Sequence, residues 1–236
     1  MTLPVTHPWI LRMAWHDLCF MHWTVDADAL AGTLPRGVHL DTFDGQAYLG
    51  AVPFRMADVA PRLVPGVPGL SAFPELNLRT YVTAGGEPGV WFYSLDAAQP
   101  LAVRLARQLF HLPYFDARMW VSRQGGVTRY ASLRTHHGQP PARFAAAYRP
   151  VGEPIAAPPG SLDDWLTNRL NLYSADRHGQ VYRGRIAHAA WPLRRAEAVI
   201  HENTLAGSLG LTLGGPPHLL HAEELRVHAH WLERVT

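Results

Sequence analysis

A chain of 236 residues, 47% apolar and only 17% charged, can bury a sizeable core, and this composition excludes a disordered or solvating role. Its formal charge of +2, with arginines scattered and no basic run, excludes the electrostatic footprint of a nucleic-acid binder. None of the 21 basic residues is lysine, so no side-chain amine can form an imine with a carbonyl compound or with pyridoxal phosphate.

The opening stretch is rich in Trp and His, and Arg12 and Asp17 break up any signal-peptide core. No run of about 18 apolar residues without charge occurs, which points to a cytoplasmic protein that does not cross a membrane. Cys19 is the only cysteine, so an intrachain disulfide and a thiolate zinc cluster are both ruled out. Asp26 starts a short helix that stops before Pro35. Asp44-Gly45 signals a turn into a strand from Gln46 to Met56, with Tyr48, Val52, Phe54 and Met56 on one face. A proline-bearing loop from Ala60 to Pro74 leads to a hairpin, Leu76 to Thr83 and Val90 to Leu95, and Val90-Trp91-Phe92-Tyr93 reads as buried on both sides. The clearest helix follows: Asp96 and Gln99 have capping-box spacing, Leu101, Leu105 and Leu109 form an apolar stripe, and Pro113 ends it. A second hairpin, Met119 to Arg123 and Val127 to Thr135, turns at Gly125-Gly126. Beyond it lie a strand from Phe144 to Tyr148 and a short helix from Ser161. Leu170 to Tyr173 then pairs with Val181 to Ala187, and a Gly-rich stretch precedes a last strand, Leu225 to Leu232. The elements predict one β-dominated α+β domain spanning residues 1–236. Two sets of strands close a barrel, with about three short helices outside it.

Two regions carry chemistry. Glu75, Asn77, Arg79 and Tyr81 alternate with Leu76, Leu78, Thr80 and Val82, so one strand face holds a carboxylate, an amide, a guanidinium and a phenol. This face is either solvated, as on many antiparallel strands, or turned into a barrel lumen where Arg79 binds an anion and Glu75 serves as acid or base. On the helix, Arg104, Arg107 and His111 fall along the side opposite the leucines. His228 and His230 share a strand face, but paired histidines without evident further ligands do not make a metal site, and none is assigned. Thr2 would become an amine-bearing nucleophile on loss of Met1, with nothing nearby to activate it.

The segment Ala102 to Phe115 resembles the region around the reactive lysine of acetoacetate decarboxylases, with Arg107 at the arginine of that pattern and Pro113 at its proline. Tyr114 and Phe115 stand where that family carries its paired lysines, so imine-dependent decarboxylation does not transfer. A resemblance over nearly the whole chain is to the DUF2071 (YqjF-like) branch of the same superfamily. It is carried by His22-Trp23, Leu40 to Gly45, Pro53-Phe54, Phe73 to Val82 and Gly89 to Ala97. The resemblance implies a closed, cone-shaped β-barrel with few helices and an internal pocket. It brings Glu75 and Tyr114 forward as catalytic candidates, with Arg79, Arg107, Asn77, Tyr81 and His111 around a ligand.

Three functions follow, in order. The first is a small-molecule-binding barrel holding an anionic or carbonyl metabolite, without a cofactor. The second is a lyase, isomerase or hydrolase using Glu75 and Tyr114 for proton transfer. The third is a non-catalytic interaction protein whose barrel is filled by side chains. A homodimer is compatible with all three. Nucleic-acid and membrane partners are not expected.

Overall fold

The structure, a computed structural model, describes residues 8–67 and 69–235; Thr2 lies outside the described residues. Segments that alternate, or that run apolar between turn signals, become strands of a single sheet. In chain order these are β1 (Leu11–Val25), β2 (His39–Leu40), β3 (Ala47–Pro61), β4 (Phe73–Ala84), β5 (Glu87–Ala97), β6 (Tyr114–Gln124) and β7 (Val127–Arg134). They continue as β8 (Arg143–Ile155), β9 (Asn171–Ala175), β10 (Val181–His188), β11 (Leu193–Asn203), β12 (His218–Ala229) and β13 (Glu233–Arg234). Helices α1 (Ala27–Ala31), α2 (Pro100–Phe110) and α3 (Leu162–Thr167) start at Asp26, Gln99 and Ser161, whose side chains each accept a backbone N–H of the first turn. Gly85-Gly86 and Gly125-Gly126 take positive φ at both positions, the left-handed pair that a two-residue hairpin needs. The β6–β7 hairpin therefore turns where the sequence predicts, whereas the β4–β5 turn is shorter than the expected Gly85 to Gly89 connection, because Glu87 to Gly89 already pair in β5.

The sheet closes on itself and it forks. The run β5-β6-β7-β8-β11-β12-β1-β3-β4 returns to β5 through the β4–β5 pairing. Val90 and Trp91 of β5 pair with β9, whereas Leu95 to Ala97 pair with β6. β12 divides in the same way, with Leu220 and Ala222 against β11 and Val227 and Ala229 against β10. Two closed rings thus share β12, β1, β3, β4 and β5 as a common wall. Over much of that wall a residue meets an interior whichever way it points, although Arg55 of β3 and Glu223, Glu224 and Arg226 of β12 reach solvent.

Strand alternation decides which interior. Cys19, Met21, Leu49, Ala51, Leu76 and Leu78 point into one lobe and join Tyr130, Phe144 and Tyr148 in a solid core. Phe20, Val52, Phe54 and Leu95 point into the other. The tyrosines of the solid lobe end on backbone of the wall. Tyr130 donates to the carbonyls of Glu75 at 2.7 Å and Phe54 at 3.3 Å, and Tyr148 donates to that of Asp17 at 2.9 Å. Burial and hydrogen bonding are satisfied together there.

Some expectations change. The opening Trp/His-rich stretch is the fifteen-residue β1, and β11 occupies a stretch with no predicted element. Asp96 is not a helix cap: it sits in β5, fully buried, and receives the Arg134 guanidinium at 2.8 and 3.2 Å. Gln99 alone caps α2. The leucine stripe of α2 does not enter the core; Val103 is the buried residue of that helix, and Leu101, Leu105 and Leu109 stay 49%, 47% and 50% exposed. The helix is fastened by its other side, where Arg104 pairs with Asp116 of β6 at 2.9 Å and Arg107 donates to the Tyr114 carbonyl at 2.8 Å.

Candidate functional site

The polar face of β4 turns inward, into the second lobe, and that lobe is hollow. A cavity of about 530 Å³ lies there, within the range of small-molecule sites. A barrel filled throughout by side chains, the third expectation, is therefore not what this fold builds. Its walls are overwhelmingly apolar, with Met13, Trp15 and Leu18 from β1, Val52, Phe54 and Met56 from β3, and Trp191 before β11. Glu75, Asn77, Arg79 and Tyr114 are among the polar groups that line it.

Glu75 is fully buried, and the Tyr114 hydroxyl donates to its Oε2 at 2.9 Å. Burial penalises the carboxylate and pushes the Glu75 carboxyl up to about 8, against the opposing pull of the Tyr114 hydrogen bond. Near neutral pH the side chain therefore keeps its proton and can donate it, while the other oxygen stays occupied by the phenol. Burial, and then the neighbouring Glu75, raise the Tyr114 hydroxyl well above its ordinary value, so it remains a donor. Phe115 points to the other face of β6, where Arg107 and Arg134 stack on its ring. Of the two aromatic residues standing where the decarboxylases carry lysines, only Tyr114 faces the cavity.

Next along β4, Asn77 is buried and its Oδ1 has no hydrogen-bond partner. Arg79 donates to the Leu166 carbonyl at 3.1 Å and rests over the Phe20 ring, but its buried Nε has no partner. Among the described residues Arg79 has no carboxylate partner either. A half-buried guanidinium that lines an apolar cavity without a counter-charge is costly, and an anion supplied from outside would relieve it. Arg169, from the turn after α3, also lines the cavity, but Asp41 neutralises it at 2.7 Å and Trp165 stacks on it at 4.3 Å.

Tyr81 does not border the cavity; it stands behind Arg79. Its hydroxyl donates to the Leu166 carbonyl at 2.7 Å, which leaves a lone pair for the Nε2–H of His22, also at 2.7 Å. His22 is then neutral: burial first, and then the Arg79 charge, push it well below the ordinary histidine value. Gly50 must be glycine here, because a Cβ at that position would lie 2.7 Å from the His22 ring. Arg107 and His111, expected around the ligand, are absent from the lining. Arg107 is spent on the Tyr114 carbonyl, and His111 ends α2 in a left-handed conformation beside the Tyr182 ring. Helical spacing put Arg104 and Arg107 on one side of α2 correctly, yet that side faces β6, and His111 falls beyond the helix beside β10.

Sequence reasoning missed Arg169 and Trp191, which follow α3 and precede β11 with no local signal of a site. His22 and Asp41 lie in stretches that carry the family resemblance, which was the available pointer to them. Cys19 is buried on the opposite, solid side of the wall, where desolvation raises its thiol and keeps it unreactive. His228 stacks on Trp9 at 4.5 Å, and among the described residues no group of three or more His, Cys, Asp or Glu side chains is placed to hold a metal.

The cavity opens between α2 and residues 64–67 and 69–71. Leu101, Leu105 and Leu109 form one lip, and Val64, Val67 and Leu70 form the other, at 45%, 50% and 40% exposed. The Gln99 side chain ties the lips together by donating to the Gly69 carbonyl at 3.0 Å.

Comparison with known proteins agrees with this architecture. The family model DUF2071, described as an uncharacterized conserved protein, matches residues 12–226. The uncharacterized protein YqjF of Bacillus subtilis (strain 168) is 46% identical over 213 residues, covering 90% of this chain and 87% of that protein. Among solved structures, the enduracididine biosynthesis enzyme MppR with HEPES buffer bound superposes with a TM-score of 0.68 at 12% identity, covering 98% of this chain and 89% of that one. The acetoacetate decarboxylase of Legionella pneumophila superposes with a TM-score of 0.67 at 14% identity, covering 100% and 92%. MppR complexed with pyruvate gives 0.67 at 13%, covering 98% and 92%. At such identities these structures share the fold with this chain, which is acetoacetate decarboxylase-like.

Proposed function

The chain belongs to the DUF2071 family, and from that premise we propose that it binds a small anionic or carbonyl compound inside the hollow lobe. The observation that carries this reading is Arg79. Its guanidinium lines an apolar cavity, its buried Nε is unpartnered, and no carboxylate among the described residues neutralises it. Asn77 beside it offers a buried amide with an open acceptor, and Glu75 offers a proton. A carboxylate or carbonyl oxygen placed against Arg79 and Glu75 would satisfy donors that otherwise stay unsatisfied, while a hydroxyl or other donor on the ligand would suit the Asn77 Oδ1. A thermal-shift screen with keto acids, pyruvate included, tests this reading. Binding raises the melting temperature with the logarithm of ligand excess, and Arg79→Met should abolish the shift. A screen in which no anion moves the wild-type protein would sink it.

One observation favours a second reading, an acid–base enzyme. A carboxyl that titrates at about 8, hydrogen-bonded to a phenol at 2.9 Å, is poised to exchange protons with a bound carbonyl compound near neutral pH. With no lysine in the chain, such a reaction would run through an enol or a hydrate and not through an imine. Deuterium incorporation at the carbon next to a keto group, followed by NMR and lost in Glu75→Gln and Tyr114→Phe, would establish it. Wild-type protein that binds keto acids without exchanging them would leave the binding role alone standing.

A further inference from the structure

We infer that the ligand is an amphiphile, a carboxylate carrying an extended aliphatic chain, with its head at Arg79 and its tail running out between α2 and the facing side chains of Val64, Val67 and Leu70. This deepens the binding reading above and rests on it. The argument is the distribution of polarity along the cavity. Arg79 and Asn77, with their unpartnered buried atoms, hold the inner end beside Glu75 and Arg169. From there the lining passes through Phe54, Met56 and Met13 to the two lips. A site for a compact, fully polar acid would close over its charge and present polar groups at the opening. This one is lined mainly by aliphatic side chains out to the rim, where Gln99 and Ser71 are the polar groups.

The rim is the second observation. Leu101, Leu105 and Leu109 recur every fourth residue on α2, which aligns them along the opening, and the facing segment contributes Val64, Val67 and Leu70. All six are about half exposed. Helix α2 is clamped by its arginine side to Asp116 and to the Tyr114 carbonyl, which holds the leucines over the opening. A contiguous aliphatic surface kept in water at the mouth of an apolar cavity marks where an apolar partner lies. Because that surface continues the cavity lining, the partner that covers both is a single chain threaded through the mouth. The Gln99–Gly69 hydrogen bond sets the gap that the tail must fit.

A chain-length series with the full-length protein tests this. Acetate, hexanoate and decanoate, each below its micelle concentration, are titrated while tryptophan fluorescence is followed, since Trp15 and Trp191 line the cavity. Affinity should rise about fourfold for each methylene buried. Decanol, which lacks the charge, should bind about tenfold or more weakly than decanoate, and decyl phosphate should not exceed decanoate. Arg79→Met should erase the preference of decanoate over decanol while leaving decanol binding in place. Leu105→Gln should weaken decanoate more than hexanoate; because Leu105 is half exposed, this variant keeps its fold. Flat dependence on length, with short acids still binding through Arg79, overturns the amphiphile and leaves the anion-binding reading intact. Tighter binding of decyl phosphate overturns the carboxylate head. Silence from every anion overturns the anion-binding reading itself.

Discussion

The two lobes share five strands and almost nothing else. On one side of the common wall, Leu76 and Leu78 of β4 meet Tyr130, Phe144 and Tyr148 in a core with all of these residues at most 2% exposed. On the other side, two residues of the same strand, Asn77 and Arg79, carry unpartnered buried atoms beside an open space of about 530 Å³. The difference is not one of backbone, since each strand supplies both faces at once. It lies in what the facing strands contribute: β7 and β8 fill their lobe with large aromatic side chains, whereas β9 and β10 line the cavity with Asn171, Leu172, Gly184, Arg185 and Ile186, none of them aromatic. The filled lobe backs the wall that carries the polar groups of the hollow one. Tyr130 illustrates the support, because its hydroxyl holds the backbone carbonyl of Glu75 while the Glu75 side chain faces the cavity.

The largest effect should come from breaking the solid lobe. Phe144→Ala removes a 1% exposed ring and should cost about 3–5 kcal/mol, read as a drop in the chemical-denaturation midpoint with little change in slope. A loss under about 1 kcal/mol would mean that the lobe is not the stabilising half of the molecule. The next effect belongs to the hollow side and depends on pH. The unfolded chain releases the Glu75 proton near 4.5, whereas the folded chain holds it up to about 8. Between those values the folded state binds the additional proton, so raising the pH favours unfolding. Stability from this group is full below 4.5, falls through the window by at most about 1.4 kcal/mol per pH unit, and levels off above 8. Glu75→Gln should flatten this component of the curve. Tyr114→Phe should steepen its upper end, because the lost hydrogen bond is one that favours the ionised carboxyl. Urea midpoints for wild type and both variants across the window check the sign; a wild-type curve superimposable on that of Glu75→Gln would show that Glu75 titrates normally.

Much of this was legible from local pattern. The alternation of Glu75, Asn77 and Arg79 with Leu76 and Leu78 announced a strand with two unlike faces, and paired glycines placed two hairpins. What local pattern could not supply was the fork. β1 lies in the shared wall, so both of its faces are buried. Its bulge, with Asp17 at φ 51°, breaks the period further, so no clean alternation marks it as a strand. β11 hides for the opposite reason: Arg194, Arg195, Glu197 and Glu202 among alanines give it a helix-like composition, and only its pairing with β8 makes it a strand. The hollow is invisible for a related cause. A cavity is set by what faces a strand from elsewhere in the chain, and Arg169 and Trp191 reach it from connections remote in sequence.

The smallest expected effect is the most discriminating for α2. The spacing of Leu101, Leu105 and Leu109 describes a core-facing stripe, and a buried leucine cut back to a polar residue would cost several kcal/mol. In this fold the stripe rims the opening, with Leu105 at 47% exposed, and the helix is held by Arg104, Arg107 and Val103. Leu105→Gln should therefore change stability by no more than about 0.5 kcal/mol in the absence of ligand. Val103→Ala on the same helix, fully buried, should cost more, because it opens space behind the turn that docks on the sheet. The ratio of the two is what matters, since both substitutions act on one helix with the same caps. Parity between them, or a larger loss at Leu105, would mean that the leucine side of α2 is pressed into the protein in solution and that the cavity has no open mouth.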